Sequence, residues 1–154
     1  MELTEILSPD AVMASLKATS KKHLMQEIAQ RASELHEIDA RVAFEALLER
    51  ERLGPTGVGR GVAIPHARLD GLGGIIGVFA RCQRPVEFDA VDEEPVDLLF
   101  TLFAPEDAGA NHLRALARVS RCLRDQAICA KLRAAEDASA IYAVLTESID
   151  SRAA

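Results

Sequence analysis

The chain has 154 residues, 49% apolar and 27% charged, a balance that fits one water-soluble globular domain able to fold without disulfide or metal staples. Eighteen Lys and Arg against 24 Asp and Glu leave a net charge of −6, which repels phosphate backbones and anionic membranes and excludes general nucleic-acid binding. Five Phe, one Tyr and no Trp supply no base-stacking platform, and no apolar run approaches the ~18 residues of a membrane span.

The start Met1-Glu2-Leu3-Thr4-Glu5 is acidic where a signal peptide would be basic, so neither export nor membrane insertion is expected. Cys82, Cys122 and Cys129 form an odd set without a Cys-x-x-Cys pair. They read as small buried hydrophobes in a reducing compartment, and a cytoplasmic location is the expectation.

In chain order, Leu24, Ile28 and Leu35 recur at helical spacing behind Ser20, predicting a capped helix from about Ser20 to His36. Asp39 caps a second amphipathic run, Ala40 to Arg52, which Gly54 and Pro55 end. From Gly54 to Gly61 four of eight residues are glycine, and Val62-Ala63-Ile64 is then short and extended before Pro65. The apolar runs Ile75–Ala80 and Val96–Phe103 read as buried strands, with the acidic Glu87–Asp92 between them as a surface connection. From Asp107 onward Leu113, Leu116, Val119 and Leu123, then Ile128 and Leu132, then Ile141, Val144, Leu145 and Ile149 mark helices. The sum predicts a single α/β domain over residues 1–154, core about 3–148, with a mixed β-sheet flanked by helices on both sides.

The chemistry concentrates between Arg50 and Arg68. Glycines at 54, 57, 59 and 61 allow backbone N–H groups to converge on an anion, and the fixed φ of Pro65 sets the direction of His66. Arg50, Arg60 and Arg68 carry planar donor forks suited to phosphoryl oxygens. A neutral His66 in such a setting is a nucleophile toward phosphorus. The bland alternative is also open: glycines that only make turns and a histidine that only ends a strand.

His112 follows the turn-like Gly109-Ala110-Asn111 and stands near a helix N-terminus, either facing His66 or exposed in the first turn. His23 and His36 sit among Lys and Glu and read as solvated. The histidines and cysteines lack metal-ligand spacing. No nucleotide-binding fingerprint and no Gly-x-Ser-x-Gly elbow is present.

The segment Leu53-Gly-Pro-Thr-Gly-Val-Gly-Arg-Gly-Val-Ala-Ile-Pro-His66, preceded by Arg50-Glu51-Arg52, resembles the active-site signature of enzyme IIA proteins of the phosphoenolpyruvate-dependent phosphotransferase system, fructose/mannitol class. Phe88 to Phe100, Asn111-His112-Leu113 and Cys129 to Arg133 are similar to the same family in the same order, so the likeness spans residues 1 to 148. Within the family it leans to the stand-alone nitrogen-regulatory branch. Two positions depart from the common pattern: Pro55 stands where many members have Ser, and Ala67 where many have Gly.

The resemblance implies that His66 takes a phosphoryl group from an HPr-like phosphocarrier, with His112 and Arg50 lining the site. The expected site is therefore His66 and His112 as reacting and orienting imidazoles, with Arg50, Thr56, Gly57, Gly59 and Gly61 around the phosphoryl oxygens. No metal, nucleotide or other cofactor is expected. Phosphorylation state would regulate protein partners, among which ion transporters and sensor kinases are the family's examples. The alternative is a sugar-specific relay that passes the phosphate to a transporter enzyme IIB domain. Oligomeric state is not legible in the residues.

Overall fold

The computed structural model describes residues 3–152. A short helix α1 (Leu3–Ile6) and a 3-10 turn (Pro9–Ala11) lead into β1 (Val12–Leu16), α2 (Lys21–His36) and α3 (Ala40–Arg52). Four strands follow in sequence, β2 (Gly57–Gly59), β3 (Val62–Ala63), β4 (His66–Leu69) and β5 (Ile76–Val86), and then β6 (Val96–Pro105). Helices α4 (Ala110–Leu123), α5 (Gln126–Ala134) and α6 (Ala138–Arg152) complete the chain.

Both predicted caps form. Ser20 Oγ accepts from the His23 amide at 3.0 Å, and Asp39 Oδ1 accepts from the Arg41 and Val42 amides at 2.8 and 3.1 Å. The sheet order is β1-β5-β6-β3-β2, with β4 also paired to β6. β5 and β6 are antiparallel, β1 runs parallel to β5, and β3 and β4 both run parallel to β6, so the sheet is mixed as expected.

The continuous apolar run of β6 follows from burial on both faces. Leu98, Phe100, Leu102 and Ala104 enter the core under α1, α4, α5 and α6, while Leu99 and Phe103 enter the core under α2 and α3. Phe79 packs edge-to-face on Phe100, ring centroids 6.1 Å apart. The expected strand at Ile75–Ala80 is longer than its apolar run, because β5 continues to Val86.

The connection from Glu87 to Asp92 has no regular element, but it is not wholly a surface segment. Phe88 is fully buried and Ala90 nearly so. Lys21 Nζ lies 4.7 Å from the Phe88 ring centroid and pins the connection to the start of α2.

Strands β3 and β4 share one edge of β6, separated by Ile64-Pro65. Val62 pairs with Leu98, His66 with Leu102, and the Pro65 carbonyl accepts from the Leu102 amide at 3.0 Å. Proline cannot donate to the ladder, so the strand breaks there and restarts at His66.

Candidate active site around His66

Strand alternation sets the direction of His66. Ala67 and Leu69 pack under α2 and α3, so His66 and Arg68 face the opposite layer, where α4 begins. His112, the third residue of α4, is only 5% exposed and meets His66 with ring centroids 5.7 Å apart at an interplanar angle of 73°. Of the two placements open to His112, the structure takes the one facing His66.

The tautomer of His66 follows from its partners. Nδ1 lies 2.9 Å from the Ile64 carbonyl oxygen, which can only accept, so Nδ1 carries the proton. Nε2 then holds the lone pair, and it accepts from Arg50 Nε at 3.3 Å. Arg50 is itself fixed by donating from Nη1 to the Gly54 carbonyl at 3.0 Å.

Burial holds the His66 imidazole below its ordinary pKa, and the neighbouring Arg50 charge lowers it further, while the Ile64 hydrogen bond and the Glu51 charge oppose these effects. His112 is lowered as well, first by burial and then by His66 and Arg68. Both rings are thus biased toward the neutral form at pH 7. His112 Nε2 is buried with no hydrogen-bond partner among the described residues. An orphaned buried ring nitrogen is costly unless something visits it.

Arg50, His66, Arg68 and His112 line one cleft of about 500 Å³, whose rim carries Leu53, Leu113 and Leu116. Leu53 is 81% and Leu113 67% exposed, so the cleft sets exposed apolar side chains beside the charged Glu49, Arg50 and Arg68. Arg68 also donates to the Glu106 carbonyl at 3.3 Å.

The glycine loop meets this constellation at its start, where the Gly54 carbonyl accepts from Arg50. Thr56, Gly57, Gly59 and Gly61, assigned from sequence to the phosphoryl oxygens, are not among the residues lining this cleft. Both donors of Thr56 are engaged by Glu51: the amide gives to Oε1 at 2.8 Å and the hydroxyl to Oε2 at 2.6 Å. Gly57 lacks room for a side chain, since a Cβ would stand 2.7 Å from the Ala90 Cβ. Gly61 has φ +81° and would place a Cβ 2.6 Å from Arg133 and 2.8 Å from Asp97. Gly59 packs beside the Asp92 carboxylate, which accepts from the Arg60 amide at 2.8 Å. These glycines are required by close packing and backbone turn. Arg60 sits with that turn on a separate groove shared with Val58, Val91 and Arg124.

Sequence reasoning missed Glu51 and Lys21. Their signal was a charged pair at the ends of two adjacent helices, without spacing to link them; in space Lys21 Nζ is 2.8 Å from Glu51 Oε1. The three cysteines are buried and form no disulfide among the described residues, with Cys82 pushed up to about 12 by burial and the Asp97 charge. His23 makes a surface contact with Glu27 at 3.3 Å.

Residues 5–148 match the family model described as phosphoenolpyruvate-dependent sugar phosphotransferase system, EIIA 2. The chain belongs to this family. It is 54% identical over 145 residues to a nitrogen regulatory protein of Bradyrhizobium diazoefficiens, covering 94% of this chain and 95% of that protein. It is 38% identical over 124 residues to a fructose-specific EIIA component of Haloferax volcanii, covering 80% and 79%. Among solved structures, the nitrogen regulatory protein IIA-Ntr of Neisseria meningitidis superposes with a TM-score of 0.89 at 36% identity, covering 94% of this chain and 99% of that one. The EIIA-type α/β fold and the kinship with nitrogen regulatory proteins are thereby established. No helix of the described residues is long and apolar enough to cross a membrane.

Proposed function

We propose that the protein accepts a phosphoryl group on His66 Nε2 from an HPr-like phosphocarrier and regulates protein partners according to its phosphorylation state. The observation that carries this reading is the unprotonated Nε2 of His66, which accepts from Arg50 in a cleft shared with His112, whose own Nε2 has no partner among the described residues.

Phosphoryl transfer between two imidazoles depends on positioning and charge stabilisation more than on proton removal. The Nε2 lone pair attacks phosphorus in line as the phosphorus–nitrogen bond to the carrier's histidine breaks and its electron pair returns to that ring. The His66 proton stays on Nδ1, where the Ile64 carbonyl supports the positive charge that develops on the ring. Arg50 shifts its donor from Nε2 to an equatorial oxygen as the new bond forms. Arg68, and His112 through an Nε2–H tautomer, supply further donors. Thr56 and the glycines act on the phosphoryl group only by holding the loop in place.

The phosphate adds roughly −1.5 to −2 charges to a cleft ringed by apolar side chains. A surface of that kind docks different partners in its two states. Regulation is favoured by the kinship with nitrogen regulatory proteins. Onward relay to an enzyme IIB domain is the second reading, favoured by the likeness to a fructose-specific component.

His66→Ala is expected to abolish labelling by the phosphorylated carrier; retained label on another residue contradicts the assignment. His112→Ala is expected to slow transfer about 100-fold with the fold intact, as loss of one charge-stabilising donor does elsewhere. An unchanged rate removes His112 from the site.

A further inference from the structure

Glu51 takes no direct part in the transfer described above, yet its side chain is only 5% exposed and accepts from three donors. Lys21 Nζ and the Thr56 amide both lie 2.8 Å from Oε1, and the Thr56 hydroxyl lies 2.6 Å from Oε2. A carboxylate in this setting is tolerated only because its lone pairs are filled, and filling them fixes Thr56 against α3.

The connection continues toward the site. The Thr56 carbonyl accepts from the Ile64 amide at 3.0 Å, and the Ile64 carbonyl accepts from His66 Nδ1 at 2.9 Å. The adjacent residue of α3, Arg50, donates to the other nitrogen of the same ring. Two consecutive residues of one helix therefore act on opposite ends of one imidazole, Arg50 directly and Glu51 through the loop.

This matters because a neutral histidine in water prefers its proton on Nε2, which would leave no lone pair facing the cleft. A fixed acceptor at Nδ1 reverses that preference. We propose that Glu51 is a positioning residue for phosphoryl transfer, holding through Thr56 and Ile64 the carbonyl that keeps the His66 proton on Nδ1 and the lone pair on Nε2. The role in transfer rests on His66 being the phosphoryl acceptor; the tautomer does not. No bond forms or breaks at Glu51, which keeps its three donors before and after transfer.

The test is long-range 1H–15N NMR of the full, unphosphorylated chain at alkaline pH, paired with transfer kinetics from a phosphorylated HPr-like carrier. Wild-type His66 is expected with its proton on Nδ1 and a bare Nε2. Glu51→Ala and Thr56→Val are expected to give a mixture of tautomers and a maximal transfer rate lowered about 10- to 100-fold, as misplacement of a reacting group does. The carrier concentration for half-maximal rate stays unchanged, because neither residue lines the cleft. Thr56→Ser keeps both donors and is expected to restore the wild-type tautomer and rate.

A dispersed amide spectrum identifies folded variants, and the Val and Ser pair at position 56 decides the matter if Glu51→Ala does not fold. The proposal is overturned if wild-type His66 carries its proton on Nε2, or if folded variants keep the wild-type tautomer whatever their rate. A wild-type chain with the Nδ1–H tautomer that takes no phosphate contradicts the phosphocarrier reading and leaves standing the hydrogen-bonded path from Glu51 through Thr56 and Ile64 to His66.

Discussion

His66 and His112 illustrate how burial tunes two facing imidazoles. Each is held below the ordinary imidazole pKa near 6.5, with loss of solvent as the leading cause. On the proposed mechanism the neutral form of His66 attacks, so transfer should persist as pH falls below 6.5 and fail only when the lowered pKa is passed. The same shift acts on stability with a definite sign. Between the lowered folded values and 6.5 the unfolded chain binds more protons than the folded one, so stability falls as pH drops through this window and is level above it. Thermal unfolding measured against pH should show that fall, and His66→Gln with His112→Gln should reduce it. A profile unaffected by the pair of substitutions contradicts the burial argument. At this scale the sequence was informative about His66, Arg50 and Arg68, which lie within nineteen residues of one another. It left His112 open between two placements, since no spacing rule links residues 66 and 112, and pairing β4 with β6 beneath the start of α4 is what brings them together.

At the scale of elements, caps and apolar periodicity were legible because both act within a few residues. Ser20 and Asp39 cap as expected, and the core runs of β5 and β6 stand out in composition. β1 was not foreseen: Val12-Met13-Ala14-Ser15-Leu16 has no alternation, and its extended state is imposed by parallel pairing with β5, Val12 opposite Phe79. The second half of β5 was missed for a similar reason. Arg81 there donates to the carbonyls of Ala14, Leu132 and Ala135, tying the strand to β1 and to the end of α5, a tertiary effect that propensity does not register. The glycine loop carries a packing role that its sequence does not reveal. A run of glycines reads equally as an anion cradle or as backbone packed too tightly for side chains, and at Gly57 and Gly61 the neighbours Ala90, Asp97 and Arg133 leave no room for a side chain. Gly57→Ala is accordingly expected to cost about 1–3 kcal/mol in urea unfolding, since the new methyl overlaps Ala90. A loss under about 0.5 kcal/mol, the range of ordinary surface changes, contradicts the packing account.

Across the whole molecule, the site lies where helices from opposite faces of the sheet, α3 and α4, reach the β4 strand, and the cleft opens between them. Exposed Leu53 at the end of α3 and Leu113 at the start of α4 flank its mouth. Exposed apolar side chains grouped at a cleft mouth mark a site of protein–protein contact. Leu53→Asp and Leu113→Asp should therefore raise the carrier concentration needed for half-maximal transfer while leaving the maximal rate near wild type. A change confined to the maximal rate would place these leucines in the chemistry instead of the docking. The central claim, that His66 Nε2 is where phosphate resides, is tested most directly by incubating the chain with phosphorylated carrier and recording 31P and 15N spectra of the product. The account predicts a single acid-labile phosphate bonded to Nε2 of His66, with the proton retained on Nδ1. Phosphate on Nδ1, on His112 or on another residue, or none from a carrier known to be phosphorylated, would contradict it.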